Sequence, residues 1–178
     1  MNLESKKTAM SMIFNFLRVT QEELDSYLKD SSLLEARVYD DESGAMDAGL
    51  VDIDKAWDGI LFLLTGEGIS DEADEAPHPL KKVLFSEQLI DEDQDLGYGP
   101  AQYLTPAQVK EVHAQLSAIT TEQLAAEYDP EAMERSEVYP SGGWDEASKG
   151  YLLDYFKDVQ EIYANAAANN QAIVTFLN

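Results

Sequence analysis

Four ionisable side chains stand where this sequence could support acid–base chemistry. Asp52, Asp54 and Asp58 punctuate the stretch V-D-I-D-K-A-W-D-G-I-L-F-L-L-T-G over residues 51–66, and His78 lies between Pro77 and Pro79. A carboxylate becomes an efficient proton carrier near neutral pH only when burial or a neighbouring charge raises its pKa. Asp54 and Asp58 are four residues apart, so a helix starting before them would put both on one face, where mutual repulsion would raise a pKa if that face were buried. Two prolines hold the chain extended around His78. That residue suits a general base or a metal ligand, and equally an exposed loop position. His113, beside Val112 and Leu116 and with no second histidine or cysteine at ligand spacing, reads as helix surface. The chemistry these groups would support is that of a small hydrolase-like enzyme working in an aromatic pocket.

Other patterns stop short of a site. Asp91, Asp93 and Asp95 have the first spacings of a calcium loop, but Leu96 stands where the turn needs glycine and Gln102 where a bidentate glutamate belongs. Gly97-Tyr98-Gly99-Pro100 lacks the spacing of a dinucleotide fingerprint, and Pro100 removes an amide that a phosphate cradle would use, so it reads as a tight turn. No Ser-His-Asp, P-loop, zincin or cysteine-based pattern occurs at usable spacing, and neither a metal nor a cofactor is expected. Residues suited to contacting a partner are Trp57, Tyr98, Tyr139 and Trp144 as aromatic anchors, with Asp91, Asp93 and Asp95 as acidic contacts.

Charge narrows the choice of partner. Against 12 Lys and Arg the 178 residues carry 35 Asp and Glu, a formal charge of −23. Such a surplus opposes binding to phosphate backbones or anionic lipid and draws a basic partner from a distance, so no nucleic acid or membrane is expected. The acids crowd two segments, Glu67 to Glu75 and Glu87 to Asp95. No cysteine is present, which fits a reducing compartment such as the cytoplasm. The first residues lack an apolar run of signal-peptide length, and Ile60 to Leu64 is too short to span a bilayer.

These groups need elements to hold them, and the stretch from Val51 to Gly66 is the natural anchor. Trp57, Ile60, Leu61 and Leu64 recur at i, i+3, i+4 and i+7, which predicts a helix deep in a core, with Asp52 or Asp54 capping its start and Gly66 ending it. Gly59 within it predicts close approach of another element, a helix crossing above all. Met10 to Val19 reads as a buried strand, Thr20 with Glu23 as a capping box opening a helix to Lys29, and residues 32–37 as a second short helix. Residues 38–48 read as loop, and Val83 to Phe85 as strand or irregular structure.

Beyond Pro100, residues 101–104 form a short strand, and Thr105-Pro106 with Gln108 starts a helix bearing Val109, Val112 and Leu116. Thr120 with Gln123 and Asp129-Pro130 start two more. The loop Tyr139 to Trp144 precedes a long helix from Glu146 to Ala168, and Ala172 to Leu177 reads as a closing strand. The expectation is a flexible extension over residues 1–9, then over 10–178 a single compact, helix-rich α+β domain whose small sheet takes strands from both termini.

The blocks M-S-M-I-F-N-F-L-R-V-T, D-I-D-K-A-W-D-G-I-L-F-L-L-T-G and G-Y-G-P-A-Q-Y-L-T-P, with the terminal aromatic helix and strand, resemble the bacterial YfbM-like family, a domain of unknown function, from Met10 onward. The resemblance implies a fold and a bacterial origin. Family members commonly carry histidine in the segment after the tryptophan, where this chain has Asp58 and Leu61, so it transfers no histidine chemistry. The functional expectation is an acidic protein-binding module, immunity- or antitoxin-like or an accessory factor, acting on a basic protein as a monomer or weak homodimer. A dimer packed through the aromatic last helix is a further expectation.

Overall fold

In the computed structural model, residues 11–40, 47–72 and 76–178 are described. The expected extension over residues 1–9 lies outside them. The sheet is built from the two ends of the chain. β1 (Phe14–Val19) and β4 (Ala172–Leu177) pair antiparallel along their whole length, with Phe16 opposite Thr175. β2 (Leu50–Asp52) adds to the outer side of β1 and β3 (Gln102–Leu104) to that of β4, giving the antiparallel order β2-β1-β4-β3.

Both faces of the central pair are covered, which is why those strands read as unbroken apolar runs. Phe14, Phe16 and Ile173 face the larger core, made with α3 (Trp57–Thr65), α4 (Pro106–Ser117) and α7 (Glu146–Ala168). Leu17, Val19, Val174 and Phe176 face a smaller one, closed by α1 (Gln21–Lys29), α2 (Ser32–Val38), Ile90 and Leu96. The short helices α5 (Thr121–Ala126) and α6 (Pro130–Arg135) complete the helical side.

Local signals in the sequence account for most boundaries. Thr20, Thr105 and Thr120 each accept from the amide three residues on, while Glu23, Gln108 and Gln123 return the bond to the cap residue. Asp129 and Asp145 cap α6 and α7. α7 spans 23 residues, and its apolar stripe, Leu152, Phe156, Val159, Ile162 and Tyr163, is buried within the protein. That stripe is spent on the core, while Tyr151 and Tyr155 of the same helix are half-buried with their rings 5.0 Å apart.

The anchor helix is an interior rod, with Trp57 1%, Ile60 0% and Leu64 7% exposed. Gly66 ends it with φ 80°, donating its amide to the Phe62 carbonyl. Gly59 faces Leu152 of α7, confirming the helix crossing, and Trp144 closes over the same point. The beginning of the rod differs from expectation. Asp52 ends β2, a strand unseen in the sequence, and Ala56 is the cap residue with no side-chain bond, so neither Asp52 nor Asp54 caps the helix. The Asp52 carboxylate instead accepts from the Asp54 amide, and Asp54 itself has φ 50°. These two residues make the turn from sheet to helix, using the local side-chain bonding that suits aspartate to turns.

Residues 79–83 form a 3-10 turn, so of the run Val83 to Phe85, expected as strand or irregular structure, Val83 ends that turn and the other two are irregular. His78 caps it through Nδ1, and Pro79 fits its first position because no amide is needed there.

Candidate functional site

Of the predicted site residues Trp57, Asp58 and Tyr139 meet, whereas Asp54 pairs with Tyr151 and His78 lies exposed. Asp58 is the most unusual of them: it is completely buried although it sits in the first turn of α3. Its Oδ1 accepts from the Ile69 amide at 2.7 Å and its Oδ2 from the Tyr139 amide at 2.8 Å. One carboxylate thus clips together the loop leaving α3 and the loop leading to α7. Gly68 passes within reach of both oxygens, where an added Cβ would lie 3.5 and 3.6 Å from them and 3.1 Å from Val138. Burial raises the Asp58 pKa most, the two amide bonds act against this, and nearby Asp71 adds to the rise. With both oxygens facing backbone amides and the residue closed to solvent, the group is built to hold loops in place.

Asp54 precedes α3 and therefore shares no helix face with Asp58, contrary to the spacing argument. Its Oδ2 accepts from the Tyr151 hydroxyl at 2.9 Å, and the Tyr151 oxygen accepts from the Lys55 amide at 3.2 Å. Burial and then the Asp54 carboxylate push the Tyr151 hydroxyl well above its usual pKa. Asp52 is exposed at the end of β2. His78 is exposed too, and lines a hollow with Gly68 and Ile69 of the loop that Asp58 holds.

The aromatic candidates divide between core and surface. Trp57 is buried, donates from Nε1 to the Met12 carbonyl at 3.1 Å, and stacks on Tyr139 at 5.5 Å with Phe85 edge-on at 5.9 Å. It belongs to the interior and is closed to a partner. Tyr139 accepts from the Met12 amide through its hydroxyl at 3.0 Å, which fixes it against the same cluster. Trp144 is half-buried over Gly59, and its indole N–H is buried without an acceptor among the described residues. Tyr98 is 38% exposed and edges a small hollow with Phe14, Phe85 and Leu177.

Two aspartates of the would-be calcium loop, Asp91 and Asp95, are occupied locally, while Asp93 is exposed. Asp91 accepts from the Ser31 hydroxyl at 2.6 Å and from the Asp93 amide, while Asp95 accepts from the amides of Gly97 and Gly99. Those bonds, from Ser31 first for Asp91 and Gly97 first for Asp95, hold both carboxyls below their usual range. Among the described residues no group of His, Cys, Asp or Glu is placed to hold a metal, and no helix is long and apolar enough to cross a membrane.

Of one further concavity only His78 figured among the predicted site residues. It is a groove of about 610 Å³ between the end of α3 and α5, with Leu63, Leu64, Ile119 and Leu124 as its floor and Gln123, Ala126, Glu127 and His78 at its rim. A smaller hollow, reached from the other side of His78, is lined by Thr65, Glu67, Asp71 and Lys81. The nearest sequence signal was the glycine stop at Gly66, which marks where the rod reaches the surface.

Fold and site define a helix-rich α+β domain, its terminal strands at the centre of an antiparallel sheet and a buried aspartate locking two loops. The family model described as "Domain of unknown function (DUF1877)" matches residues 10–176, and the chain belongs to that family. Among solved structures it is similar to the crystal structure of YfbM, a protein of unknown function from Escherichia coli. That likeness has 20% identity and a TM-score of 0.69, and it covers 93% of this chain and 99% of that one. At that identity it shows the fold alone. No curated protein matches the chain.

Proposed function

We propose that the protein is a binding module for a positively charged protein partner, in the manner of an immunity, antitoxin-like or accessory factor. The observation that carries this reading is the imbalance of surface charge. Even if all 12 bases were paired, a formal charge of −23 would remain. Several bases are in fact already engaged, Arg37 with Asp47 and Glu23, Lys81 with Glu87 and Lys157 with Asp154. A field of that sign speeds encounter with a basic surface and weakens as salt screens it.

Support for binding over hydrolysis comes from how the carboxylates are used. Asp58, Asp54, Asp91 and Asp95 accept bonds from the protein's own loops and side chains. The test is capture from native lysate of the source cell at low ionic strength, followed by salt titration of the purified complex. One stoichiometric basic partner, with an association rate that falls steeply between about 50 and 300 mM salt, is expected. Absence of any stable protein partner at the lower salt refutes the reading.

A further inference from the structure

The groove between α3 and α5 has an electrostatic setting that the other helix ends lack. A helix C-terminus carries a partial negative charge, which a lysine, arginine or histidine in the last turn commonly offsets. α1, α2 and α6 follow that habit with Lys29, Arg37 and Arg135. α7 has no base in its last turn, but Lys110 reaches Asn170, just beyond its end, at 2.8 Å.

The helices that end around the groove are different. α3, α4 and α5 all lack a basic residue in the last turn. The last bond of α3 runs from Gly66 to Phe62, which leaves the carbonyls of Leu63, Leu64 and Thr65 beyond the helix's own ladder, at the groove wall. The end of α4 is closed by a neutral donor, Gln160, which bonds the Leu116 and Ile119 carbonyls at 3.0 Å. Glu127 follows α5 directly and stands exposed at the rim, while Glu67, next to Gly66, lines the neighbouring hollow. Among the described residues that line the groove, none is a lysine or arginine.

Apolar floor and negative rim together specify a complementary shape. Leu63, Leu64 and Leu124 are 4%, 7% and 2% exposed, so each offers only its tip, and Ile119 is half-buried. A floor of that kind takes one or two side chains of an occupant and not an extended apolar sheet. We propose that this groove docks a basic amphipathic segment of the protein partner, seating an aliphatic or aromatic side chain on Leu64, Ile119 and Leu124 and a neighbouring Lys or Arg against Glu127 and the α3 carbonyl end. This rests on the reading of the protein as a module for a basic partner, and it locates the contact.

The test uses the full chain and synthetic peptides. The probe is a short peptide alternating Leu with Lys and Arg; the controls are its Glu-for-Lys/Arg counterpart, an oligolysine of equal charge, and hexylamine. Binding is followed by amide shifts in two-dimensional NMR and by fluorescence anisotropy. The probe should move the amides of Leu63, Leu64, Gly66, Ile119 and Ala126, and it should bind more tightly than oligolysine. A126R and E127K change exposed positions and leave the fold intact; together they should weaken binding about tenfold or more at low salt.

Equal binding of the acidic counterpart, or shifts from hexylamine alone that match those of the probe, overturns the proposal. So does probe or oligolysine binding that maps to the acidic loop at residues 87–95 and ignores A126R/E127K, although in that case a module for a basic partner stands. A partner captured from lysate whose affinity is unchanged by A126R/E127K likewise removes the groove and keeps the broader reading.

Discussion

Replacing Gly59 by alanine puts a methyl group where α7 already lies. The added carbon would stand 2.6 and 2.8 Å from the two methyls of Leu152 and 3.2 Å from the Trp144 ring, against the 3.4–4 Å of ordinary contact. Helix preference alone favours alanine by about 1 kcal/mol. Overpacking of a filled core costs about 1–3 kcal/mol, and here the upper part of that range, about 2–3 kcal/mol, applies because Leu152 is itself fully buried, so rotating it away only moves the clash. G59A should therefore be destabilised by about 1–2 kcal/mol, or roughly 2–4 °C in Tm per kcal/mol for a chain of this size. L152A alone should lose about 2–5 kcal/mol to the cavity it leaves. In the double variant the new methyl occupies part of that cavity, so G59A becomes neutral or stabilising, with a coupling of about 1–2 kcal/mol. Urea unfolding followed by far-UV circular dichroism on all four proteins measures the cycle. An alanine that stabilises by its full helix preference in both backgrounds, with additive effects, would show that no close approach of α3 and α7 constrains residue 59.

D58N can satisfy only one of the two loop amides and turns a donor toward the other, so it should destabilise by about 1–3 kcal/mol. Because the folded protein raises the pKa of Asp58, its stabilising contribution is full below the unfolded value of about 3.9 and is lost as pH rises through the raised value. The stability advantage of wild type over D58N should thus shrink on going from acid to neutral pH; an advantage that widens instead contradicts the burial argument. W57F removes the bond to the Met12 carbonyl and part of the ring system stacked on Tyr139, for about 2–4 kcal/mol, whereas W144F sacrifices no hydrogen bond and should cost less than about 1.5 kcal/mol; thermal melts rank the two. Y163F leaves the buried Val83 carbonyl without its 2.6 Å donor and should lower stability by about 1–2 kcal/mol in urea.

Much of the fold was legible because its signals are local. The capping boxes at Thr20, Thr105 and Thr120, the glycine stop at Gly66, the span of α7 and the two terminal strands each depend on residues within a turn or two of one another. β2 escaped notice because a short edge strand has too few positions to show a period, and its one aspartate, Asp52, looked like a helix cap. The 3-10 turn at Pro79 was hidden in the same way, since Val83 to Phe85 is too brief to separate one element from another.

The sequence by itself determined most of the element types, the buried tryptophan rod and the excess of negative charge, all of which follow from spacing and composition. Only the tertiary structure decided what the charged groups do. Asp58 meets amides eleven and 81 residues away, and Asp54 meets a tyrosine 97 residues away. A spacing of four residues predicts a shared helix face only when the helix includes both positions, and here it begins between them. The groove depends on the ends of α3 and α5 coming together, and no local pattern encodes that meeting because it is set by how both helices pack on α7.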